Sequence, residues 1–168
     1  MLTLQVVGYK NTGKTTLVCK LIQFFSAKGY NVASLKHHGH GGGLHGSEIT
    51  DSWKHREAGA VIAGVEGGGD FHMMIHQPSW NLNTLLEFYK IIDVDILLIE
   101  GFKRENFLKI LLIGDETDLP LIKELTNIKA IVTSLPMVQE EVPCPVFKPT
   151  ETDRLCEWLD YTLFGLED

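Results

Sequence analysis

Short hydrophobic runs alternate with amphipathic segments along the 168-residue chain. Residues 96–99 and 110–113 are continuously apolar, which is typical of strands buried on both faces of a sheet. Seven runs predict strands: LTLQVVG, NVASLKH, AVIAGVEG, FHMMIHQ, VDILLIEG, FLKILLIG and IKAIVTS. The fourth run follows EGGGD so closely that it fits an antiparallel hairpin better than a crossover.

Helical spacing of apolar residues fills the intervals between these runs. The helix after the first strand buries Leu17, Val18, Leu21, Ile22 and Phe25 on one face, and Gly29 stands where a C-terminal cap belongs. Further helices are predicted at residues 51–58, 84–92, 119–125 and 152–163. Strands that alternate with helices predict an α/β fold with a mostly parallel central sheet covered on both faces.

The segment GYKNTGKT, residues 8–15, matches the phosphate-binding pattern G-x-x-x-x-G-K-[ST]. Small residues let backbone N–H groups curl around a phosphate, lysine reaches the outer phosphates, and a hydroxyl binds Mg²⁺. A strand enters the loop and a helix leaves it, as this chemistry requires. We therefore expect one P-loop nucleotide-binding domain over residues 1–168, with the three-layer sandwich typical of P-loop NTPases. The predicted contacts in the loop are Gly8, Lys10, Asn11, Thr12, Gly13, Lys14, Thr15 and Thr16.

An acidic residue is expected at the end of a neighbouring strand, where it can hold Mg²⁺ directly or through water. VDILLIEG places Glu100 at such an end, and Gly101 leaves room for a phosphate. Asp51 begins a predicted helix, which it or Thr50 would cap. Asp51 would also reach the Mg²⁺ shell or an attacking water, as an acidic residue after the second strand does in related P-loop proteins. The predicted metal ligands are Thr15, Glu100 and Asp51, and the two carboxylates are also the candidate catalytic groups.

Composition narrows the possible partners. A net charge of −7 and a pI near 5.5 argue against nucleic acid binding. No apolar run approaches the ~18 residues of a membrane span, and the N-terminus is too short and too lightly charged for a signal peptide. The three cysteines form no CxxC pair, so we expect reduced thiols in a cytoplasmic protein without membrane contact.

Four motifs together resemble the MobB-type molybdopterin-guanine dinucleotide biosynthesis adapter proteins. These are VVGYKNTGKTTL, GYNVASLKHHGH, DSWKHREAGA and DILLIEGFK, in the order that the family has them. The resemblance implies a homodimeric GTP-binding protein with weak GTPase activity. It would assist the guanylyltransferase that attaches GMP to molybdopterin, with Mg²⁺ and possible binding of molybdopterin itself. It also makes Lys36, His37 and His38 candidates for ligand contact.

Other functions remain open on the sequence. The stretch LKHHGHGGGLHG, residues 35–46, has four histidines and five glycines, which suits either a loop that closes on a ligand or a nickel or zinc metallochaperone. A small-molecule kinase is disfavoured, because three arginines without a cluster do not form the usual arginine-bearing lid. Lys103 and Arg104 either meet a phosphate-bearing ligand or form a basic strand exit. No motif in AIVTSLP chooses guanine over adenine.

Overall fold

The computed structural model describes residues 1–38, 51–136 and 142–165. The described residues form two compact units. The first contains those before residue 40 and after residue 86, and the second contains those between. The single domain expected from the sequence stays a prediction.

The first unit is built on a six-stranded sheet in the order β2-β5-β1-β6-β7-β8, in which all neighbours are parallel. Its strands are β1 (Leu2–Val7), β2 (Val32–Lys36), β5 (Ile96–Glu100), β6 (Leu108–Ile113), β7 (Ile128–Thr133) and β8 (Val146–Phe147). The predicted α/β fold with a mostly parallel sheet is confirmed. The short edge strand β8 was not predicted, because two residues carry no periodicity.

Alternate residues of the strands enter two cores on opposite faces of the sheet. On one face Leu4, Val6 and Ile110 pack with α1 (Lys14–Ala27) and α5 (Thr152–Phe164). On the other face Val7 and Leu111 join a smaller cluster with α4 (Pro120–Glu124). Burial on both faces explains why the central strands read as continuous apolar runs.

No helix covers the crossover from β5 to β6, which residues 101–107 make as an irregular segment. Two fully buried polar side chains hydrogen-bond its backbone from beneath. The Gln5 amide donates to the carbonyls of Gly101 and Phe102, at 3.1 and 2.8 Å, and the Lys109 ammonium donates to the carbonyls of Glu105 and Phe107. Gln5 and Lys109 are register partners on β1 and β6. They satisfy carbonyls that a helix would have paired internally.

The second unit contains α2 (Asp51–Glu57) and an antiparallel hairpin of β3 (Ile62–Gly67) and β4 (Asp70–Ile75). Gly68 and Gly69 form the two-residue turn, with φ of 63° and 90°. Positive φ at both central positions is the conformation that glycine permits and tight hairpins require. The hairpin predicted from EGGGD is confirmed.

The helix α3 (Leu82–Tyr89) differs from its predicted range of 84–92 at both ends. It starts earlier because the Asn81 side chain accepts a hydrogen bond from the Thr84 N–H at 2.9 Å, which caps the first turn. It ends earlier because Ile91 and Ile92 lie in solvent, with exposed fractions of 81% and 69%. These two apolar residues therefore do not belong to the buried face on which the longer range depended.

Candidate nucleotide-binding site

The loop from β1 to α1 has a backbone that only glycine tolerates at its two ends. Gly8 has φ of 150°, and a Cβ there would lie 2.6 Å from the Leu112 carbonyl oxygen. Gly13 has φ of 90°, in the left-handed region, immediately before α1. Asn11 is also left-handed, with φ of 64°. The conformation thus explains the spacing of the glycines in GYKNTGKT.

The N-terminus of α1 is open to an anion. Gly13 is its N-cap and offers no side-chain cap, and the first turn carries no acidic residue. The first N–H groups of a helix have no partner within it and lie at the positive end of the helix dipole. An anion such as phosphate would satisfy them. The first turn consists of Lys14, Thr15 and Thr16, as the motif predicts.

Lys14 folds back over the loop, where its ammonium donates to the Tyr9 carbonyl. Burial lowers the pKa of Lys14 from its usual value, and the nearby Glu100 carboxylate opposes this shift. A partly desolvated ammonium gains from a new anionic neighbour. Among the other loop residues, the Thr12 hydroxyl donates to the Tyr9 carbonyl at 3.0 Å, and the Lys10 side chain is exposed.

Lys36 and Glu100 end the strands β2 and β5, and both contact Thr15 in the first turn of α1. The Thr15 hydroxyl lies 3.0 and 2.9 Å from the two Glu100 carboxylate oxygens. The Lys36 ammonium lies 3.0 Å from Glu100 Oε1 and 3.0 Å from Thr15 Oγ1. Lys36 and Glu100 are register partners on β2 and β5, so the parallel sheet itself aligns them. Glu100 ends β5, which pairs with β1, as the sequence predicts, and its role as a Mg²⁺ ligand stays a prediction.

The donor set of this cluster fits a magnesium ion. A threonine hydroxyl and a carboxylate are hard oxygen ligands of the kind Mg²⁺ prefers when phosphates and water complete its shell. Glu100 is 8% exposed, so its charge is poorly screened by solvent. The Lys36 ammonium neutralises this carboxylate in the structure.

His37 continues from β2 and lies against the segment after β5. Its backbone N–H donates to the Glu100 carbonyl at 2.9 Å, and its ring centroid lies 4.2 Å from that of Phe102. His38 is exposed. The remaining histidines of the histidine-glycine stretch, His40 and His45, lie outside the described residues, and so do the loop-closure and metal hypotheses that depend on them.

Asp51 lies in the second unit, as the first residue of α2. Its carboxylate accepts from the Lys54 ammonium at 2.8 Å, and its side chain is 87% exposed. An acidic residue in the first turn stabilises a helix through its dipole, whereas capping by Asp51 stays a prediction. Its second predicted role, near Mg²⁺ or an attacking water, stays a prediction.

Sequence reasoning missed the polar turn that follows β6. The Asp118 carboxylate is 4% exposed and accepts from the N–H of Gly114 at 2.6 Å. A Cβ on Gly114 would lie 3.3 Å from Thr12 Cγ2, so this turn approaches the phosphate loop. The signal in the sequence was the acidic stretch GDETD, residues 114–118, directly after an apolar strand.

The described residues were also compared with the patterns of metal-binding clusters and membrane-spanning helices. Within residues 1–38, 51–136 and 142–165, no three His, Cys, Asp or Glu side chains are grouped as a metal site. No helix in the described part of the chain is both long enough and apolar enough to cross a membrane.

Comparison with known proteins gives one consistent result. The family model "MobB: Molybdopterin guanine dinucleotide synthesis protein B" matches residues 3–134. A Bacillus subtilis protein described as a probable molybdopterin-guanine dinucleotide biosynthesis adapter protein is 35% identical over 85% of this chain and 83% of its own length. A Haemophilus influenzae adapter protein of the same description is 30% identical over 94% of this chain and 89% of its own.

Solved structures agree with the sequence relatives. The crystal structure of a MobB homologue from Bacillus stearothermophilus covers 99% of this chain and 100% of its own, with a TM-score of 0.78 and 30% identity. The crystal structure of Bacillus subtilis MobB covers 94% and 97%, with a TM-score of 0.75 and 32% identity. Since the family model spans most of the chain and these relatives align over nearly all of it, the chain belongs to the MobB family.

Proposed function

We propose that this protein is a GTP-binding adapter in molybdenum cofactor biosynthesis. In this proposal it assists the guanylyltransferase that forms molybdopterin guanine dinucleotide, acts as a cytoplasmic homodimer and hydrolyses GTP weakly. The observation that carries the nucleotide part is the Thr15–Glu100 pair beside the uncapped N-terminus of α1. Family membership and the names of the relatives support the pathway.

Each residue of the site has a distinct task in this proposal. The N–H groups of the loop and of the first turn of α1 bind the phosphates, and Lys14 moves its ammonium from the Tyr9 carbonyl to the outer phosphates. Thr15 and Glu100 hold Mg²⁺, which when bound supplies positive charge to the phosphates. Thr16 reaches the inner phosphate. The remaining proposed contacts are Gly8, Lys10, Asn11, Thr12, Gly13, Lys36, His37 and His38.

Slow hydrolysis follows from how the carboxylates are engaged. Fast hydrolysis needs a group that orients water and a cation that stabilises the transition state. In the first unit Glu100 already contacts Thr15 and Lys36. Asp51 is the second proposed catalytic carboxylate, and it pairs with Lys54 in the structure. Glu100 is thus committed to the proposed metal site, whereas pairing with Lys54 only weakly restrains the exposed Asp51 carboxylate.

Calorimetric titration of GTP and ATP in the presence of Mg²⁺ tests the nucleotide part. We expect GTP to bind and Lys14→Ala to abolish binding, because the variant loses the ammonium that reaches the phosphates. Lys20→Ala is a matched control, since Lys20 is an exposed lysine of the same helix outside the motif. Failure to bind GTP at millimolar concentration would refute the proposal.

The adapter part needs a separate experiment. We expect the purified protein to bind the molybdopterin guanylyltransferase in a pull-down from a molybdenum-using cell, and light scattering to give the mass of a dimer. If the protein binds GTP but the pull-down does not recover the guanylyltransferase, the adapter role is refuted and the nucleotide site is retained.

A further inference from the structure

An open cleft of about 430 Å³ lies next to the phosphate loop. It is lined by Tyr9, Lys103, Arg104, Glu124, Leu125 and Thr126. Tyr9 belongs to the phosphate loop, the two basic residues follow β5, and the last three residues lie at the end of α4. All six belong to the first compact unit.

The residues that line the cleft carry more positive than negative charge, although the protein as a whole is acidic. Lys103 and Arg104 outnumber the one carboxylate of the lining, Glu124, whereas the chain as a whole carries a net charge of −7. The Lys103 ammonium lies 4.2 Å from the centroid of the Tyr9 ring, a cation–π contact that leaves its N–H donors available. No residue in the described ranges pairs with the Arg104 guanidinium. A locally positive cleft of this kind attracts an anion that the overall charge would repel.

Hydrogen bonds fix the backbone of the turn that carries Lys103 and Arg104. These two residues are central in this turn, in which the Glu105 N–H donates to the Phe102 carbonyl at 2.9 Å. The Gln5 and Lys109 side chains described above hold the carbonyls on either side of this turn. Phe102 has φ of 51°, a left-handed conformation that is unfavourable for a non-glycine residue.

Strain of this kind persists only where surrounding contacts impose it, and it is concentrated at binding sites. A fixed backbone also lowers the entropy lost when a ligand binds, because the cations are already positioned. The turn therefore has the properties of a prepared anion site, whereas a plain basic strand exit would need neither the strain nor the buried anchors.

We propose that this cleft binds a phosphate monoester, with Lys103 and Arg104 on the phosphate. The Arg104 guanidinium matches two phosphate oxygens at once, and Lys103 adds a point charge. The inference rests on the proposed function in one respect: GTP is assigned to the phosphate loop, which leaves the cleft for a second, non-nucleotide ligand. The cleft thereby defines the chemical class of that ligand.

Phenyl phosphate, an aromatic phosphate monoester, is the probe, with inorganic phosphate alongside it. Both are titrated into the full chain, saturated with Mg²⁺ and a non-hydrolysable GTP analogue, while backbone amide signals are followed by NMR. We expect saturable shifts at residues 9 and 102–105. Because charge-assisted contacts to phosphate are lost, K103A/R104A should weaken binding at least about tenfold. K123A removes a lysine of α4 outside the cleft and should keep wild-type affinity within about twofold.

The titration is repeated in Lys14→Ala without nucleotide, so that the cleft is tested even if GTP does not bind. Failure of GTP binding with normal phenyl phosphate binding would refute the proposed nucleotide function alone. Equal affinity of the wild type and K103A/R104A, absence of saturation, or displacement of the probe by GTP would overturn the cleft proposal. Equal affinity for inorganic phosphate and phenyl phosphate would also overturn it, because the site would then recognise the phosphate group and not the organic part of an ester.

Discussion

Lys36 contacts both of the groups that are proposed to hold Mg²⁺. Its ammonium contacts Glu100 Oε1 and Thr15 Oγ1, both at 3.0 Å, and these are the two groups proposed to hold Mg²⁺. Glu100 is nearly buried, and a buried carboxylate without a partner is costly. The lysine therefore stabilises the buried carboxylate, and a Mg²⁺ ion bound as proposed would compete with it.

Lys36→Met should make the protein more responsive to Mg²⁺. Without the ammonium, the Glu100 carboxylate loses its neutralising partner, so the melting temperature in metal-free buffer should fall. Added Mg²⁺ should then raise the melting temperature more in the variant than in the wild type, because it no longer displaces a lysine. Calorimetry without nucleotide measures both effects, with Lys20→Met as control. Identical Mg²⁺ responses of the variant and the wild type would contradict this interpretation.

Gly101 and Gly29 are both left-handed but differ in what surrounds them. Their φ values are 101° and 91°, so alanine costs each a similar amount in backbone strain, about 1–2 kcal/mol. A Cβ on Gly101 would lie 3.1 Å from the His37 Cβ, whereas nothing lies within 4 Å of one on Gly29. Gly101→Ala should therefore lower the free energy of unfolding by about 1 kcal/mol more than Gly29→Ala. Urea denaturation measures the difference, and equal losses would show that the His37 contact is not tight.

At the scale of elements, the crossover after β5 is the unusual feature. Parallel strands are normally joined by a helix that satisfies its own backbone. Here residues 101–107 lie across the sheet, and Gln5 and Lys109 supply the missing donors from inside two strands. The arrangement requires polar residues at fully buried positions, which hydrophobic patterning would assign to the core.

Lys109→Met tests this support. It should cost about 1–3 kcal/mol at neutral pH, because the carbonyls of Glu105 and Phe107 lose their buried donor. Burial lowers the pKa of Lys109 below 10.5, partly opposed by the Glu105 carboxylate. The unfolded chain then binds more protons between the lowered pKa and 10.5, so this lysine contributes stability that rises with pH through that window.

The difference in unfolding free energy between the wild type and Lys109→Met should therefore widen as the pH approaches 10.5. Urea titrations at a series of alkaline pH values measure it. A difference that stays constant with pH would mean that the lysine is not desolvated in the fold.

At the scale of the molecule, the parallel sheet brings the ends of β1, β2, β5 and β6 to one edge, where the phosphate loop, Lys36, Glu100 and Gly114 lie. Sites at the carboxyl ends of strands are general in such sheets. Behind this edge, α1 and α5 close the larger core, which contains Cys156. The faces of these strands thus form the core, and their carboxyl ends form the site.

Cys156 should report unfolding of the whole first unit. It is 2% exposed, whereas Cys19 is exposed, and burial raises the pKa of the Cys156 thiol to about 11 from 9.0. With Cys19 and Cys144 changed to serine, labelling of Cys156 should be at least about a thousandfold slower than labelling of Cys19 in the matching single-cysteine variant. Fast labelling of both thiols in native buffer would show that the core opens locally.

The raised pKa also has a consequence for stability. Because the unfolded thiol ionises from pH 9.0 upwards and the folded one only near pH 11, folding stability should fall through that window. The wild type and Cys156→Ala, compared across this range, should differ by an amount that shrinks as the pH rises.

The sequence by itself determined the local chemistry of this protein. Glycine spacing specified the phosphate loop, continuous apolar runs specified buried parallel strands, and EGGGD specified a hairpin, since each of these depends on neighbours along the chain. Only the tertiary structure decided which distant residues meet. The Lys36 contact with Glu100 depends on strand register, and the anchoring of residues 101–107 depends on two buried polar side chains. The cleft of Tyr9, Lys103 and Arg104 depends on a crossover without a helix, because contacts between distant segments leave no periodic trace in the sequence.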